Sequence, residues 1–503
     1  MKLVIAEKPS VAQSIATVIG ATNRKDGYME GKDYLVSWCV GHLVELASAD
    51  CYDEKYAKWQ YEDLPILPSN WKYVISKGKE KQMKIIGELM KRTEVTEIIA
   101  ATDAGREGEL IFRLVYEKLS CKKPIKRLWI SSMEESAIAE GFKNLRNGSD
   151  YELLYQSALC RAKADWIVGI NATRLFSLLY GQTLNVGRVM SPTLAMMVER
   201  EENIANFKAT PFYTVQLDLG SLTLSGDRLQ EKQEAETLRN ACDGQNITIE
   251  SVERKEKLEK PPKLYDLTTL QREANRQLGF TAEQTLEYVQ SLYEKKLVTY
   301  PRTDSRYVTE DMRDSIPALV KTVAGFFTSE NVQLPINTGQ IIDNSKVSDH
   351  HGIIATLGVE NYDIHSLPFG EREVLLLIAL RLVCAVGDNC RYAETLITAK
   401  YSGAIFTAKG KTILENGWKE IEKNYLDAKK EQPQEEKDTS LPPVAQGEVF
   451  TAKATIKEGK TSPPKHFTDD TLLSAMENAN NAVDDAERKG IGTPATRAGI
   501  LEK

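Results

Sequence analysis

The sequence predicts a multidomain protein of mixed α/β and α+β class, and three observations carry that prediction. Its 503 residues exceed what one hydrophobic core holds, since single cores stop growing at roughly 250–300 residues. Two stretches, 2–20 and 97–112, share a layout of short apolar strand, polar turn and helix, the repeating unit of an open α/β sheet. Farther along, strand-like alternation at 213–219, 222–226 and 247–253 gives way to helical sequence and resumes at 394–410 and 447–459.

The first strand, KLVIA, runs into Glu7, Lys8, Pro9 and Ser10. Proline suits the first turn of a helix, so Glu7 and Lys8 fall at the carboxyl end of the strand, where open α/β sheets hold ligands. The run EIIAATDAGREGELIF at 97–112 is expected to bring Asp103 and Glu107 to the same edge as Glu7. Carboxylates grouped there suit Mg²⁺, a hard ion that takes oxygen ligands and bridges to phosphate. Acidic loops after strands are also commonly just solvated, so this pattern alone assigns no site.

The most specific stretch is LVTYPRTDS at 297–305. Apolar residues Leu286, Val289, Leu292 and Tyr293 mark a helix over 281–296. Pro301 then biases Tyr300 towards an extended conformation. Alternation along such a piece predicts Arg302 on the same face as Tyr300. A guanidinium there would bind phosphate oxygens and favour phenolate character in a group whose free pKa is ~10. Such a pair suits attack on a phosphodiester, although one tyrosine among 20 usually only packs.

Composition excludes several classes. The hydrophobic fraction of 42% and charged fraction of 27% are those of an ordinary soluble protein. No apolar run approaches the ~18 residues of a membrane span, and no basic-then-apolar leader opens the chain. Seven scattered cysteines without metal spacing read as reduced, mostly buried thiols of a cytoplasmic protein. A net charge of −7 confines any nucleic-acid surface to local clusters; the run 77–84 reads as solvated surface. The stretch 424–443, charged and proline-bearing, is expected to be a loop.

Together these runs resemble the type IA DNA topoisomerases, topoisomerase III subgroup. The family's Toprim glutamate and D-x-D-x-E motif fall on Glu7 and on Asp103 to Glu107, and its active-site pattern on Thr299 to Asp304. The resemblance continues through GHLVEL at 41–46, RAKADWIVGINATR at 161–174, NVGRVMSPTLA at 185–195, YDLTTLQREAN at 265–275, DHHGIIAT at 349–356, SPPKHFTDDTLLSAME at 462–477 and GIGTPATRAGI at 490–500. It implies a ring in which residues 1–150 are a Toprim-like metal domain and 151–212 the first part of a helical scaffold with a DNA groove. Residues 213–265 would begin a β-rich arch, 266–392 form the helical domain with the nucleophile, 393–461 return the arch, and 462–503 return to the scaffold incompletely.

The resemblance has departures. Gly105 replaces the motif's second Asp, which leaves Glu7, Asp103 and Glu107 as ligands for one Mg²⁺ rather than a tightly held pair. Met190 stands where Gln is common, and Gly352 and Ala355 where Ala and Pro are usual, with His350 as the motif histidine. Lys503 follows closely on the last motif, and no CxxC pair is present, so the chain is expected to be a member shortened at its C-terminus.

By the resemblance, Tyr300 attacks a backbone phosphorus, keeps the 5′-phosphate and releases a 3′-hydroxyl. One phosphoester replaces another, so no ATP is needed. Arg302 and Lys8 would stabilise charge on the phosphorane, with a structural ion pair as the alternative for either. Glu7 would be a general acid or a metal ligand, and His350 would orient a phosphate or Tyr300. Trp59, Arg161, Asn171, Arg174, Gly187 and Arg188 are candidates for the groove. Trp166 joins them, with core packing equally expected, and Asn171 and Arg174 are expected to face the groove. The implied partners are single-stranded or underwound DNA and, as a candidate, a helicase, acting with a monomer in the cytoplasm at the nucleoid. Two other readings stay open: a Toprim nuclease or primase, and a catalytically weakened single-strand-binding remnant.

Overall fold

The computed structural model describes residues 1–130, 133, 135–327, 335–347, 350–429, 440–479, 491 and 497. The N-terminal part contains β1 (Lys2–Ala6), α1 (Pro9–Val18), β2 (Asn23–Lys25), β3 (Tyr28–Glu30), β4 (Tyr34–Trp38), β5 (Val44–Leu46) and β6 (Tyr73–Ile75). It continues with α2 (Glu80–Lys91), β7 (Glu97–Ala101), α3 (Arg106–Lys118), β8 (Ile125–Arg127), α4 (Glu135–Lys143) and β9 (Arg146–Asn147). A seven-stranded sheet runs β2-β3-β4-β1-β7-β8-β9, parallel from β4 through β8. Its central strand is apolar at consecutive positions because both faces are covered. Leu3 and Ile5 join Met83, Ile86 and Phe112 of α2 and α3 on one face. Val4 and Ala6 meet Val11, Ile15 and Ile138 of α1 and α4 on the other.

Two helices follow, α5 (Glu152–Tyr180) and α6 (Met190–Ala205). At 29 residues α5 is about 44 Å long, and it ends where Gly181 adopts φ +67°, a left-handed cap that glycine takes without steric cost. Its first turns pack Tyr155, Ala158 and Leu159 against the first sheet's core. No helix among the described residues is long and apolar enough to cross a membrane.

The remainder comprises β10 (Pro211–Asp218), β11 (Thr223–Leu229), α7 (Lys232–Cys242), β12 (Asn246–Glu259), α8 (Leu267–Leu278), α9 (Ala282–Glu294), α10 (Ile316–Ala324), α11 (Phe369–Ala385), β13 (Cys390–Tyr401) and β14 (Ala404–Glu415), then α12 (Lys419–Lys429), β15 (Val449–Thr451), β16 (Lys453–Lys460) and α13 (Asp469–Glu477). A second seven-stranded sheet runs β15-β12-β13-β14-β11-β10-β16. The chain leaves it along β12 and returns along β13, which pair antiparallel from Ile249↔Ala399 to Glu259↔Cys390. The helical body between them therefore hangs from two adjoining strands. Its core includes Leu267, Leu270, Leu286, Val289, Leu292, Val374 and Ile378. Capping boxes at Asp266/Thr269 and Thr281/Gln284 start α8 and α9, each satisfying two backbone donors that helix ends leave unpaired.

The strand reading of 394–410 holds as two strands, because Ser402 (φ 49°) and Gly403 (φ 79°) form a left-handed two-residue turn that closes a hairpin. One reading of the sequence needs correction: the segment expected to loop from 424 is helical to Lys429; 430–439 lie outside the described residues. So does the GIGTPATRAGI run apart from Ile491 and Arg497, the latter buried with Nη2 3.4 Å from Thr268 Oγ1.

Candidate active site

The site lies where the carboxyl ends of β1 and β7 face the start of the helical body. Glu7 and Lys8 leave β1, with Lys8 as extended N-cap of α1 and Pro9 inside its first turn. Asp103 leaves β7, and its N–H donates to Glu7 Oε2 at 3.2 Å. A residue the sequence reading missed fixes this edge: Arg127, fully buried. Its Nη1 donates to the carbonyls of Ala100, Thr102 and Leu128 at 3.1, 2.8 and 2.8 Å, and its Nη2 to Asp103 O at 2.6 Å. Its Nε lies 3.0 Å from Glu109 Oε2, and Glu109 is itself held by Arg113 at 2.9 Å. Gly108 completes the fit, since a Cβ there would stand 2.2 Å from Asp103 O. The signal for Arg127 was only an arginine at the end of a short strand, Ile125–Arg127.

Tyr300 approaches from the opposite side on a segment stitched to residues 350–355. Val298 bridges Ala355 and Tyr265 bridges Ile353. Thr299 N–H donates to Ile354 O at 2.9 Å, and Thr303 Oγ1 donates to the His350 carbonyl at 3.0 Å. The chain turns back at Pro301, whose carbonyl accepts from Thr303 N–H at 3.0 Å, so Tyr300 and Arg302 do not share one straight extended piece. The Tyr300 ring sits 4.3 Å from the His350 ring, edge-on to Tyr293 at 5.3 Å, with Lys8 Nζ 5.3 Å from its centroid. His350 Nε2 is 3.8 Å from Asp103 Oδ2, an ion-pair separation that links the two sides.

The electrostatics correct a second expectation. Burial, then Asp103 and Glu7, push the Tyr300 phenol above its ordinary pKa, and Arg302 only partly opposes them. The resting phenol is protonated; two nearby carboxylates outweigh one guanidinium. Glu7 is raised to about 7, first by burial and then by Asp103. Burial also acts on Asp103, but His350, Lys8 and Arg127 outweigh it and hold its carboxyl below the usual range. Cys39, buried next to Glu7, is pushed up to about 12 by burial.

The three carboxylates expected to share a metal do not converge. Glu107, in the first turn of α3, points outward and its Oε1 meets His42 Nε2 at 2.7 Å; that bond is the largest influence raising the His42 pKa. Among the described residues no group of three His, Cys, Asp or Glu side chains closes into a metal cage. Glu7 and Asp103 alone offer adjoining carboxylate oxygens, the donor chemistry a hard divalent cation takes.

The groove candidates divide. Arg161 lies among like charges, its pKa lowered by burial and by Arg188 and Arg106. Arg188 chelates Asp165 at 2.7 and 3.2 Å and is half-exposed. Gly187 precedes it, its N–H donating to Ser191 Oγ at 3.1 Å. Trp166, Asn171 and Arg174 instead knit α5 to the chain at 47–66. Trp166 Nε1 donates to Ala47 O at 2.9 Å and its ring packs edge-on to Tyr52 and Trp71. Asn171 Oδ1 accepts from Ile66 N–H at 2.6 Å and its Nδ2 donates to Ile66 O at 2.9 Å. Arg174 is buried with its guanidinium over Trp59 at 5.4 Å. The expectation that Asn171 and Arg174 face a groove is therefore corrected: backbone polar groups of the incoming chain need partners, and these side chains supply or frame them.

Comparison with known proteins gives a consistent picture. A sequence profile of the DNA topoisomerase family matches residues 149–503, and the Toprim domain profile matches residues 2–133. Proteins named DNA topoisomerase 3 from Bacillus licheniformis and Bacillus subtilis are 41% and 40% identical to this chain over its whole length, which covers 71% and 72% of theirs. In fold the chain is similar to full-length topoisomerase I of Thermotoga maritima, with a TM-score of 0.69 at 22% identity, over 100% of this chain and 78% of that one.

Proposed function

This chain belongs to the type IA DNA topoisomerases, and from that premise we infer that it is an isomerase of DNA topology whose nucleophile is Tyr300. The observation that carries the residue assignment is the Tyr300 ring held between His350 at 4.3 Å and Lys8 Nζ at 5.3 Å, over the carboxyl ends of two parallel strands.

In this reading Tyr300 Oη forms a bond to a backbone phosphorus as the P–O3′ bond breaks, leaving a 5′-phosphotyrosine. With a pKa of about 7, Glu7 carries a proton in about half the molecules at neutral pH and is suited to deliver it to the departing 3′-oxygen. The phenolic proton goes to water, so the count balances. Lys8 and Arg302 offset charge on the five-coordinate phosphorus, and His350, backed by Asp103, steadies the ring or a phosphate oxygen. The reverse attack by the 3′-hydroxyl reseals the strand without ATP. Toprim domains are typically divalent-cation sites. Glu7 and Asp103 would hold Mg²⁺, which would supply positive charge at the phosphate. Arg106, Arg161 and Arg188 support a path for the strand beside α5, and the substrate is single-stranded or underwound DNA. Supercoil relaxation, decatenation and a helicase partner belong to this proposal as its possible outlets.

The test is trapping of a covalent adduct with an end-labelled single strand. Tyr300→Phe should abolish the adduct while single-strand binding stays within about twofold. An adduct of undiminished yield would assign the chemistry to another residue, and free ends without any adduct would favour a nuclease.

A further inference from the structure

A cavity of distinctive charge lies outside the site described. About 580 Å³ in volume, it opens between the β2–β3 turn, the end of β4 and the start of α2. Four cationic side chains line it, Arg24, Lys25, Lys79 and Lys81, against one carboxylate, Asp26. In a chain of net charge −7 this is a local reversal of sign. Trp38 and Val40 add apolar surface, and Val40 is 41% exposed.

The walls are built rather than incidental. Gln82 Nε2 donates to Gly27 O, Ser37 Oγ and Trp38 O at 3.1, 3.1 and 2.9 Å, tying α2 to the turn and to β4. Gly27 adopts φ +78°, and a Cβ there would lie 2.5 Å from Ile85 Cδ1, so the turn sits hard against α2. Lys81 is committed to Asp26 at 2.8 Å, and Arg24, Lys25 and Lys79 supply the remaining charge.

Its position gives the cavity meaning. Trp38 pairs in register with Ala6, the residue before Glu7, and Cys39 N–H donates to Ala6 O at 2.8 Å. The cavity is thus at the same carboxyl edge as Glu7, displaced along β4, β3 and β2, about 10–15 Å at the usual strand spacing. We propose that this cavity binds backbone phosphates of the single strand a few nucleotides from the cleavage point, as a second anchor on the α/β domain. This deepens the proposed function and rests on it. A positive groove tracking the backbone, with apolar surface for a base, is the chemistry by which single strands are held without sequence readout.

The experiment compares the full chain with an Arg24→Ala/Lys25→Ala/Lys79→Ala variant in fluorescence anisotropy against single-stranded oligonucleotides of increasing length. The variant should lose about tenfold or more in affinity for long oligonucleotides, and its slope of log K against log salt should fall by about 2 for three phosphates released. Adduct formation on an oligonucleotide too short to leave the Tyr300 site should be unchanged. A charge-retaining Arg24→Lys/Lys25→Arg/Lys79→Arg variant should recover the affinity, which a misfolded protein would not. Equal affinity and equal slope at every length would overturn the anchor while leaving cleavage by Tyr300 intact. Loss confined to binding of inorganic phosphate or a mononucleotide would also overturn it, making the cavity a small-anion pocket. Absence of any adduct with the wild-type chain would instead refute the proposed function.

Discussion

The two sides of the site are held by different kinds of bond. On the α/β side a buried charged side chain, Arg127, gathers four carbonyls and a carboxylate around the end of β7. On the helical side Tyr300 and His350 are positioned by main-chain bridges and threonine hydroxyls. Between the sides the described contacts include an ammonium over a ring and an imidazole 3.8 Å from a carboxylate. Each side is thus held by bonds of its own. A strand-passing enzyme has use for two such bodies, because the cut ends must separate without losing the geometry that reseals them.

The largest expected effect breaks the first side alone. Arg127→Met would strip buried Glu109 of one of its two guanidinium partners, leaving Arg113, and take a donor from four carbonyls. Breaking a buried pair in this way costs ~3–5 kcal/mol. Hydrogen exchange should quicken at residues 98–103 and stay unchanged at 299–303 and 352–354. Equal loosening of both segments would show that the sides are one unit.

The helical side has its own weak point, and it is pH-dependent. His351 is 2% exposed, with Nε2 3.2 Å from Thr309 Oγ1, and burial pushes its pKa down to about 4 while Asp311 only partly opposes. Between about 4 and the ordinary ~6.5 the unfolded chain binds a proton that the folded chain does not. Stability from this residue is thus present above ~6.5 and lost as pH falls towards 4, by about 3 kcal/mol at most. Denaturant titrations between pH 4 and 6.5 should show a flatter pH slope in His351→Gln than in the wild type. Identical slopes would place the acid sensitivity elsewhere.

A smaller change on the α/β side shifts geometry rather than stability. In Gly108→Ala the new methyl meets the Asp103 backbone, which must move. A displacement of about 1 Å near reacting groups costs up to ~100-fold in rate. Adduct formation should fall by 10–100-fold with little change in single-strand affinity. A variant as active as the wild type would mean that the Asp103 carbonyl is not part of the fixed frame.

These contrasts also explain what could be read in the sequence. The strand–turn–helix units around Glu7 and Asp103 were legible because apolar runs, a proline and a polar turn occur within a few residues of each other. The helix over Ala282–Glu294 was legible from the spacing of Leu286, Val289 and Leu292. Arg127 was not, since a buried arginine is chosen by the carbonyls at the end of β7 and the Glu109 carboxylate, which only folding brings to it. The direction of the Tyr300 pKa was missed for the same reason: Arg302 is two residues away in sequence, whereas Glu7 and Asp103 arrive from the other body. Along α5 apolar residues such as Val168 and Leu179 are exposed while Arg174 is buried, so a motif that places Arg174 on this helix does not by itself say which way its side chain faces.

The smallest effect concerns the metal edge, where one carboxylate of the motif is missing. Gly105 is the N-cap of α3 with φ −170° and ψ 174°, extended backbone that any residue adopts, so the glycine is not required by conformation. Gly105→Asp would place a third carboxylate beside Glu7 and Asp103. Without a divalent cation the added repulsion should slightly destabilise the α/β side. With Mg²⁺ the same charge becomes a ligand, so the cation should bind a few-fold more tightly and raise the melting temperature more than in the wild type, because binding to the folded state alone stabilises it. Asp103→Asn should do the reverse and remove most of the Mg²⁺ response. The helical side, which carries no metal ligand in this scheme, should not sense either change in hydrogen exchange at 299–303. Melting curves with and without Mg²⁺ for the three proteins decide the matter: a Mg²⁺ response that is the same in all of them would remove Asp103 from the metal site and leave the α/β side fixed by Arg127 alone.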